Sequence, residues 1–198
     1  MALLSKYKYG LIDFVNLKKL RNFTVEILES LEYQPSMKVL EIGPARREDA
    51  LNSNIFAKYP NWFFDFEKHV KSMGATYHSL DIDGTARPTF IGSVSDTKLK
   101  IQKKSYDEII AFHVLEHTED LVSAFRNFRK WLSPSGVLRI ISPWDLRFHG
   151  PRPDCWRISD DGYRYLLGVE FDNIEFHYLS QRTRPLHPLG IYVKAIKN

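Results

Sequence analysis

YDEIIAFHVLEHTEDLVSAFRNFRKWLSPSGVLRIISP, residues Tyr106–Pro143, sets the architecture of this chain. Asp107–Phe112 is a short apolar run without alternation, the pattern of a parallel strand buried on both faces. A turn carrying His113, Glu116 and His117 follows. Thr118 is placed to cap the next helix, and Glu119 and Asp120 suit its positive end. Leu121, Ala124, Phe125, Phe128 and Leu132 recur at helical spacing and form a core stripe, with Arg126, Arg129 and Lys130 facing outward. Ser133-Pro134-Ser135-Gly136 reads as a turn, and Val137–Ser142 as the next strand.

Outward from this unit the same alternation continues. Leu17, Leu20, Phe23, Ile27, Leu28 and Leu31 predict an amphipathic helix over residues 16–32, broken at Pro35 and Ser36. Lys38–Ile42 is a second buried strand. Residues 47–59 are weakly helical, and residues 61–73 more clearly so, with Gly74 as a C-terminal stop. Ala75–Ile82 alternates as a strand, and Phe90-Ile91-Gly92 reads as a further short one. Pro143–Ile158 is irregular and rich in Pro, Arg and aromatic residues. Ser159 caps a short helix ending at Gly168, and two strands, residues 171–179 and 189–196, close the chain. Single apolar strands alternating with helices predict a mostly parallel sheet flanked by helices.

Composition sets bounds on function. With 198 residues, 43% apolar and 26% charged, the chain suits one globular domain with a proper core. The net charge is +4, but Lys and Arg are scattered, so no nucleic-acid footprint is expected. Cys155 is the only cysteine, so no disulfide forms within the chain and a reducing compartment is natural. No apolar run near the N-terminus suits a signal peptide or membrane span. These features predict a cytoplasmic protein without a membrane partner.

In an open parallel sheet, ligands bind beyond the carboxyl ends of the strands. Here those ends carry Glu41-Ile42-Gly43, Asp81 and Phe112-His113. Together, KVLEIGP (Lys38–Pro44) and HVLEHTED with LSPSG (His113–Asp120, Leu132–Gly136) resemble the core of the Rossmann-like S-adenosylmethionine-dependent methyltransferases. The resemblance covers about Lys38 to Leu167. It implies an α/β fold: a single-domain, doubly wound, mostly parallel sheet with an antiparallel C-terminal strand and helices on both faces. Residues 1–35 form an N-terminal helical segment, 36–198 the Rossmann-like core, and 143–158 an irregular lid.

The resemblance also implies S-adenosylmethionine as cofactor. Glu41, Gly43, Pro44 and Ala45 fall in the first motif, Asp81 at the ribose and Ser93 at the adenine, with Ile82 and Val94 as further cofactor-binding positions. His113 and Val114 lie beside the adenosine and sulfonium. DCWRISDDGYRYLL, Asp154–Leu167, is similar to a segment of bacterial members associated with sugar and cell-surface metabolism. The implied acceptor is a small molecule, a sugar or sugar-linked metabolite. His113 and His117 are the candidate catalytic bases. His149, with Trp156 and Arg157, is expected on the acceptor side, where an aromatic plane beside a guanidinium suits a polar ring.

Three departures weigh on this reading. Ala45 stands where family members usually carry a second glycine, Ser93 stands where an acidic residue often meets the adenine, and an aromatic-rich insertion lengthens the interval from Glu41 to Asp81. They favour a rival, a non-catalytic methyltransferase-like scaffold with a degenerate pocket. A nicotinamide dehydrogenase is disfavoured, because Gly43-Pro44-Ala45-Arg46-Arg47-Glu48 lacks two of the three required glycines. His113 and His117 are four residues apart, yet no cysteine or third ligand is near in sequence, so no metal is expected. Cys155 reads as an inert thiol.

Overall fold

The computed structural model describes residues 11–44, 64–181, 184 and 186–198. Seven strands form one sheet in the order β3-β2-β1-β4-β5-β7-β6. They are β1 (Lys38–Ile42), β2 (Thr76–Asp81), β3 (Phe90–Ile91), β4 (Tyr106–Phe112), β5 (Leu132–Pro143), β6 (Phe171–Leu179) and β7 (Gly190–Lys197). The first five run parallel; β7 lies antiparallel between β5 and β6. The helices are α1 (Leu11–Ser30), α2 (Phe66–Ser72), α3 (Leu121–Trp131) and α4 (Asp160–Leu167). This is the doubly wound sheet expected from the sequence.

Strand side chains alternate between two apolar layers, which explains their unbroken hydrophobic runs. Leu40, Ile109 and Ile140 face one layer, with Phe125, Phe128 and Trp131 of α3 and Tyr163 and Leu167 of α4. Val39 and Ile110 face the other, with Leu28 of α1 and Phe66 and Val70 of α2. Farther along that face, Leu20 of α1 packs on Ile141 and Tyr192.

Several local readings change. The helix α3 is capped by Asp120, whose carboxylate accepts from the Ser123 amide at 3.0 Å, and not by Thr118. The residues Leu115–His117 take up one 3-10 turn first, and Thr118 Oγ1 donates to the Val114 carbonyl. Arg129 does not face out. Its guanidinium donates to the Leu166 carbonyl at 2.8 Å and so joins α3 to α4. Ser133–Gly136 does not separate helix from strand. β5 already pairs at Leu132 with Tyr106 and resumes at Val137 with Glu108, so the four residues form an irregularity inside the strand. The helix α1 begins at Leu11, earlier than the periodicity indicated. Residues 47–59 and 61–63 lie outside the described residues.

One buried charge is bound into the sheet. Glu108 on β4 is 2% exposed and accepts from Tyr33 Oη at 2.6 Å and from Arg139 Nε at 2.8 Å. Arg139 on β5 also donates to Tyr192 Oη at 2.6 Å, so the network crosses from β4 to β7. Removing one partner strands the other charge, whereas removing both does not. Arg139→Met is expected to destabilise the fold by about 3 kcal/mol, read by denaturant unfolding. Glu108→Leu with Arg139→Met should recover most of that loss; a double variant no more stable than the single one refutes the account.

Candidate active site

Three strand ends meet above the sheet. Past β1, Gly43 turns in the left-handed region (φ 66°), and its amide donates to the Leu80 carbonyl at 2.9 Å. A Cβ there would lie 2.7 Å from Val114 Cγ2, so this position needs glycine for both space and conformation. Past β2, one Asp81 carboxylate oxygen accepts from the Asp83 amide at 2.8 Å, which fixes its orientation. Past β4, His113 is also left-handed (φ 58°), and its amide donates to Ile141 at 2.8 Å.

These ends border a cleft of about 460 Å³. Of the residues expected at the cofactor, Gly43, Asp81, Ile82, Ser93, Val94, His113 and Val114 line it together. Ile82 is 75% exposed at its edge, an apolar surface offered to a flat ring. The loop with Ser93 and Val94 is held by buried Asn127 of α3, whose amide donates to the Val94 and Asp96 carbonyls. Glu41 is not among the lining residues; its carboxylate accepts from Tyr77 Oη. Pro44 is buried outside the lining, and Ala45 lies outside the described residues.

The lid adds Pro151 and Pro153 to the cleft, two residues sequence reasoning missed. Their signal was present, since paired prolines follow the carboxyl end of β5. The lid is tied down where the Cys155 amide donates to the Glu116 carbonyl at 2.6 Å and Trp156 Nε1 donates to the Thr118 carbonyl at 2.7 Å.

His117 reaches the cleft, but Trp156 and Arg157 do not. They line a second groove of about 480 Å³ beside α3 and α4. Arg157 grips Asp154 through both guanidinium nitrogens, at 2.6 and 3.0 Å, and also donates to the Leu146 carbonyl. Burial works to raise the Asp154 pKa, but Arg157 and the His149 amide outweigh it and hold the group at about 2. Asp154 in turn accepts from the His149 amide at 2.9 Å. Arg157 therefore positions His149 through Asp154.

Glu116, 1% exposed, is the charged centre of the region. Its Oε1 lies 3.7 Å from His113 Nδ1, 3.9 Å from His117 Nε2 and 3.8 Å from His149 Nε2. Burial raises its pKa, yet His113 and His149 outweigh that and hold it near 2. For His113 the balance reverses, and burial dominates and lowers its pKa despite Glu116. Sequence reading paired His113 with His117 by spacing alone. The fold adds His149 from the lid, a partner no local pattern reveals.

A methyltransferase-domain family model matches residues 15–173, most of the chain. The chain belongs to the Rossmann-like S-adenosylmethionine-dependent methyltransferases. A highly reducing polyketide synthase of Alternaria alternata is 27% identical over 168 residues, taking in 73% of this chain but 6% of that protein. A methyltransferase of Archaeoglobus fulgidus superposes with a TM-score of 0.62 at 14% identity, over 95% of each chain. Phosphoethanolamine N-methyltransferase 2 of Haemonchus contortus, bound to phosphomonomethylethanolamine and S-adenosylhomocysteine, gives 0.60 at 12% identity, over 92% of this chain and 52% of that one. The enzyme thus shares its sheet with methyltransferases of diverse size. No helix among its described residues is long and apolar enough to cross a membrane.

The first turn of the cleft is open to a direct test. Gly43→Ala forces a side chain into left-handed backbone, at about 1–2 kcal/mol, and into Val114. Adding Val114→Ala should relieve the contact but not the backbone term. Thermal unfolding of the parent and the two variants should therefore rank the double between Gly43→Ala and the parent in stability.

Proposed function

We propose that the enzyme methylates a small hydroxylated acceptor, a sugar or sugar-linked metabolite, with S-adenosylmethionine held in the 460 Å³ cleft. The convergence of Gly43, Asp81, Ser93, Val94, His113 and Val114 on that one cleft carries the reading. The Asp81 carboxylate, fixed by the Asp83 amide, accepts the ribose hydroxyls. Gly43 allows the close backbone approach, and Ile82 with Val94 covers the adenine faces. Bound cofactor supplies a methyl group already activated on a sulfonium.

What remains for the protein is to orient the acceptor, exclude water and receive a proton where the acceptor is a hydroxyl. The lid, with Pro151 and Pro153 over the cleft, supports the first two tasks. His113, His117 and His149 around Glu116 supply the proton-accepting groups. The Asp154–Leu167 resemblance supports a sugar-type acceptor.

Titration calorimetry with S-adenosylhomocysteine tests the cofactor half of this reading. Asp81→Asn keeps a carbonyl for the Asp83 amide but loses the charge-assisted acceptor, worth roughly 1.5–3 kcal/mol. Affinity should fall about tenfold or more. An unchanged affinity in the folded variant removes Asp81 from the ribose.

A further inference from the structure

Glu116 and the imidazoles around it pose a problem of charge that the methyl-transfer reading leaves open. Neither carboxylate oxygen has a hydrogen-bond partner among the described residues, although the side chain is fully buried. A buried carboxylate left this way is costly, and such groups in folded proteins have a reason. The three nearest nitrogens stand at 3.7–3.9 Å, beyond hydrogen-bonding distance.

Their protonation follows from their outer partners. His117 Nδ1 lies 2.8 Å from the Pro153 carbonyl, which only accepts, so Nδ1 carries the hydrogen. His149 Nδ1 lies 3.3 Å from the Arg147 carbonyl and 3.3 Å from the Asp154 carboxylate, again acceptors alone. In the neutral form of either ring Nε2 keeps its lone pair, and both Nε2 atoms face Glu116 Oε1. His113 repeats the arrangement from α1. Thr24 Oγ1 donates to the Leu20 carbonyl, so it accepts from His113 Nε2 at 2.8 Å, and Nδ1 faces Glu116 bare. When the rings are neutral, lone pairs thus meet the carboxylate, a set of groups that a cation would satisfy as protonation otherwise does. Arg21, partly buried on α1, adds a positive charge felt by Glu116 without supplying a hydrogen bond to it.

We propose that Glu116, His117 and His149 bind one divalent transition-metal ion of the Zn²⁺ type on the wall of the cleft. One ligand atom from each residue lies within 4.8 Å of the others. Tetrahedral ligation with bonds of about 2 Å sets ligand atoms about 3.3 Å apart, so the site needs only a small contraction. Two histidines and a carboxylate leave a position open, as in catalytic zinc sites. The outer shell matches as well: each imidazole donates its far N–H to a carbonyl or carboxylate, which fixes the ring and strengthens its lone pair. Arg157 completes that shell by clamping Asp154. Because His117 also lines the cleft, an ion held there would border it. An ion there would lower the pKa of a coordinated acceptor hydroxyl, and with His117 and His149 engaged as ligands His113 is the ring left to receive its proton. That catalytic use rests on the methyl-transfer reading; the ion site does not.

The test titrates chelator-treated full-length protein with Zn²⁺ by calorimetry, and with Co²⁺ by visible absorption. One ion should bind per chain, and bound Co²⁺ should show the intense bands of low coordination. His117→Ala and His149→Ala should each weaken Zn²⁺ binding by roughly 100-fold or more, since even outer-shell changes cost about 10–100-fold. His149 is partly exposed in the lid, so its variant keeps the test valid should Glu116→Gln not fold. Absent saturable binding, or affinity unmoved in both folded histidine variants, overturns the site. S-adenosylhomocysteine titrated in parallel keeps the readings apart: its loss with Zn²⁺ binding intact sinks the cofactor assignment alone.

Discussion

The amide of His113 donates across to Ile141 at the point where β4 stops, while its own backbone turns left-handed. That bond and that turn together determine where everything else at the cleft stands. They end β4 beside Ile141 while β5 runs on to Pro143, swing the His113 ring toward Thr24 of α1, and direct the chain into the 3-10 turn that buries Glu116. Histidine tolerates left-handed backbone better than most side chains, though less well than glycine. Its ring is then held at Nε2 by Thr24. The site is therefore built on strand ends, with Pro151 and Pro153 of the segment after β5 lining the cleft beside them.

The lid is irregular but not loose. It is pinned to the Glu116 carbonyl through Cys155 and to the Thr118 carbonyl through Trp156, both in the turn after β4. The same turn thus supplies cleft residues on one side and lid anchors on the other. Arg157 spends its donors within the lid, which explains why a guanidinium read as a ligand for substrate serves as a brace. Through Asp154 it is linked to the His149 amide.

The sheet was legible in the sequence because burial on both faces leaves a simple mark. Lys38–Ile42 and Tyr106–Phe112 are short runs with no polar alternation, and no helix of that length hides two faces. The Ser159 cap and Gly168 stop of α4 were equally plain. The start of α3 was not, because Thr118, Glu119 and Asp120 are all plausible capping residues and only the intervening 3-10 turn selects Asp120. Ser133-Pro134-Ser135-Gly136 misled for a related reason: turn residues also make a bulge, and strand pairing on either side is invisible locally. At the site, Gly43, Asp81 and His113 were readable from strand ends, whereas the approach of His149 to Glu116 joins positions far apart in the chain. Arg129 shows the limit of reading an amphipathic face. Its charge suggested solvent, but its stem is long enough to reach the α4 carbonyls.

The two borders of the sheet differ in a way that bears on how the molecule behaves in company. At one border β3 has only two residues, too few to template another strand. At the other, β6 runs for nine, the length at which exposed amides and carbonyls invite foreign chains. That border is guarded. Asn173 takes a left-handed conformation, the pairing with β7 shifts register between Asp172 and Glu175, and Glu175 forms an ion pair with Lys194 on the neighbouring strand. The kink and the charges interrupt the flat ribbon that fibrous growth requires.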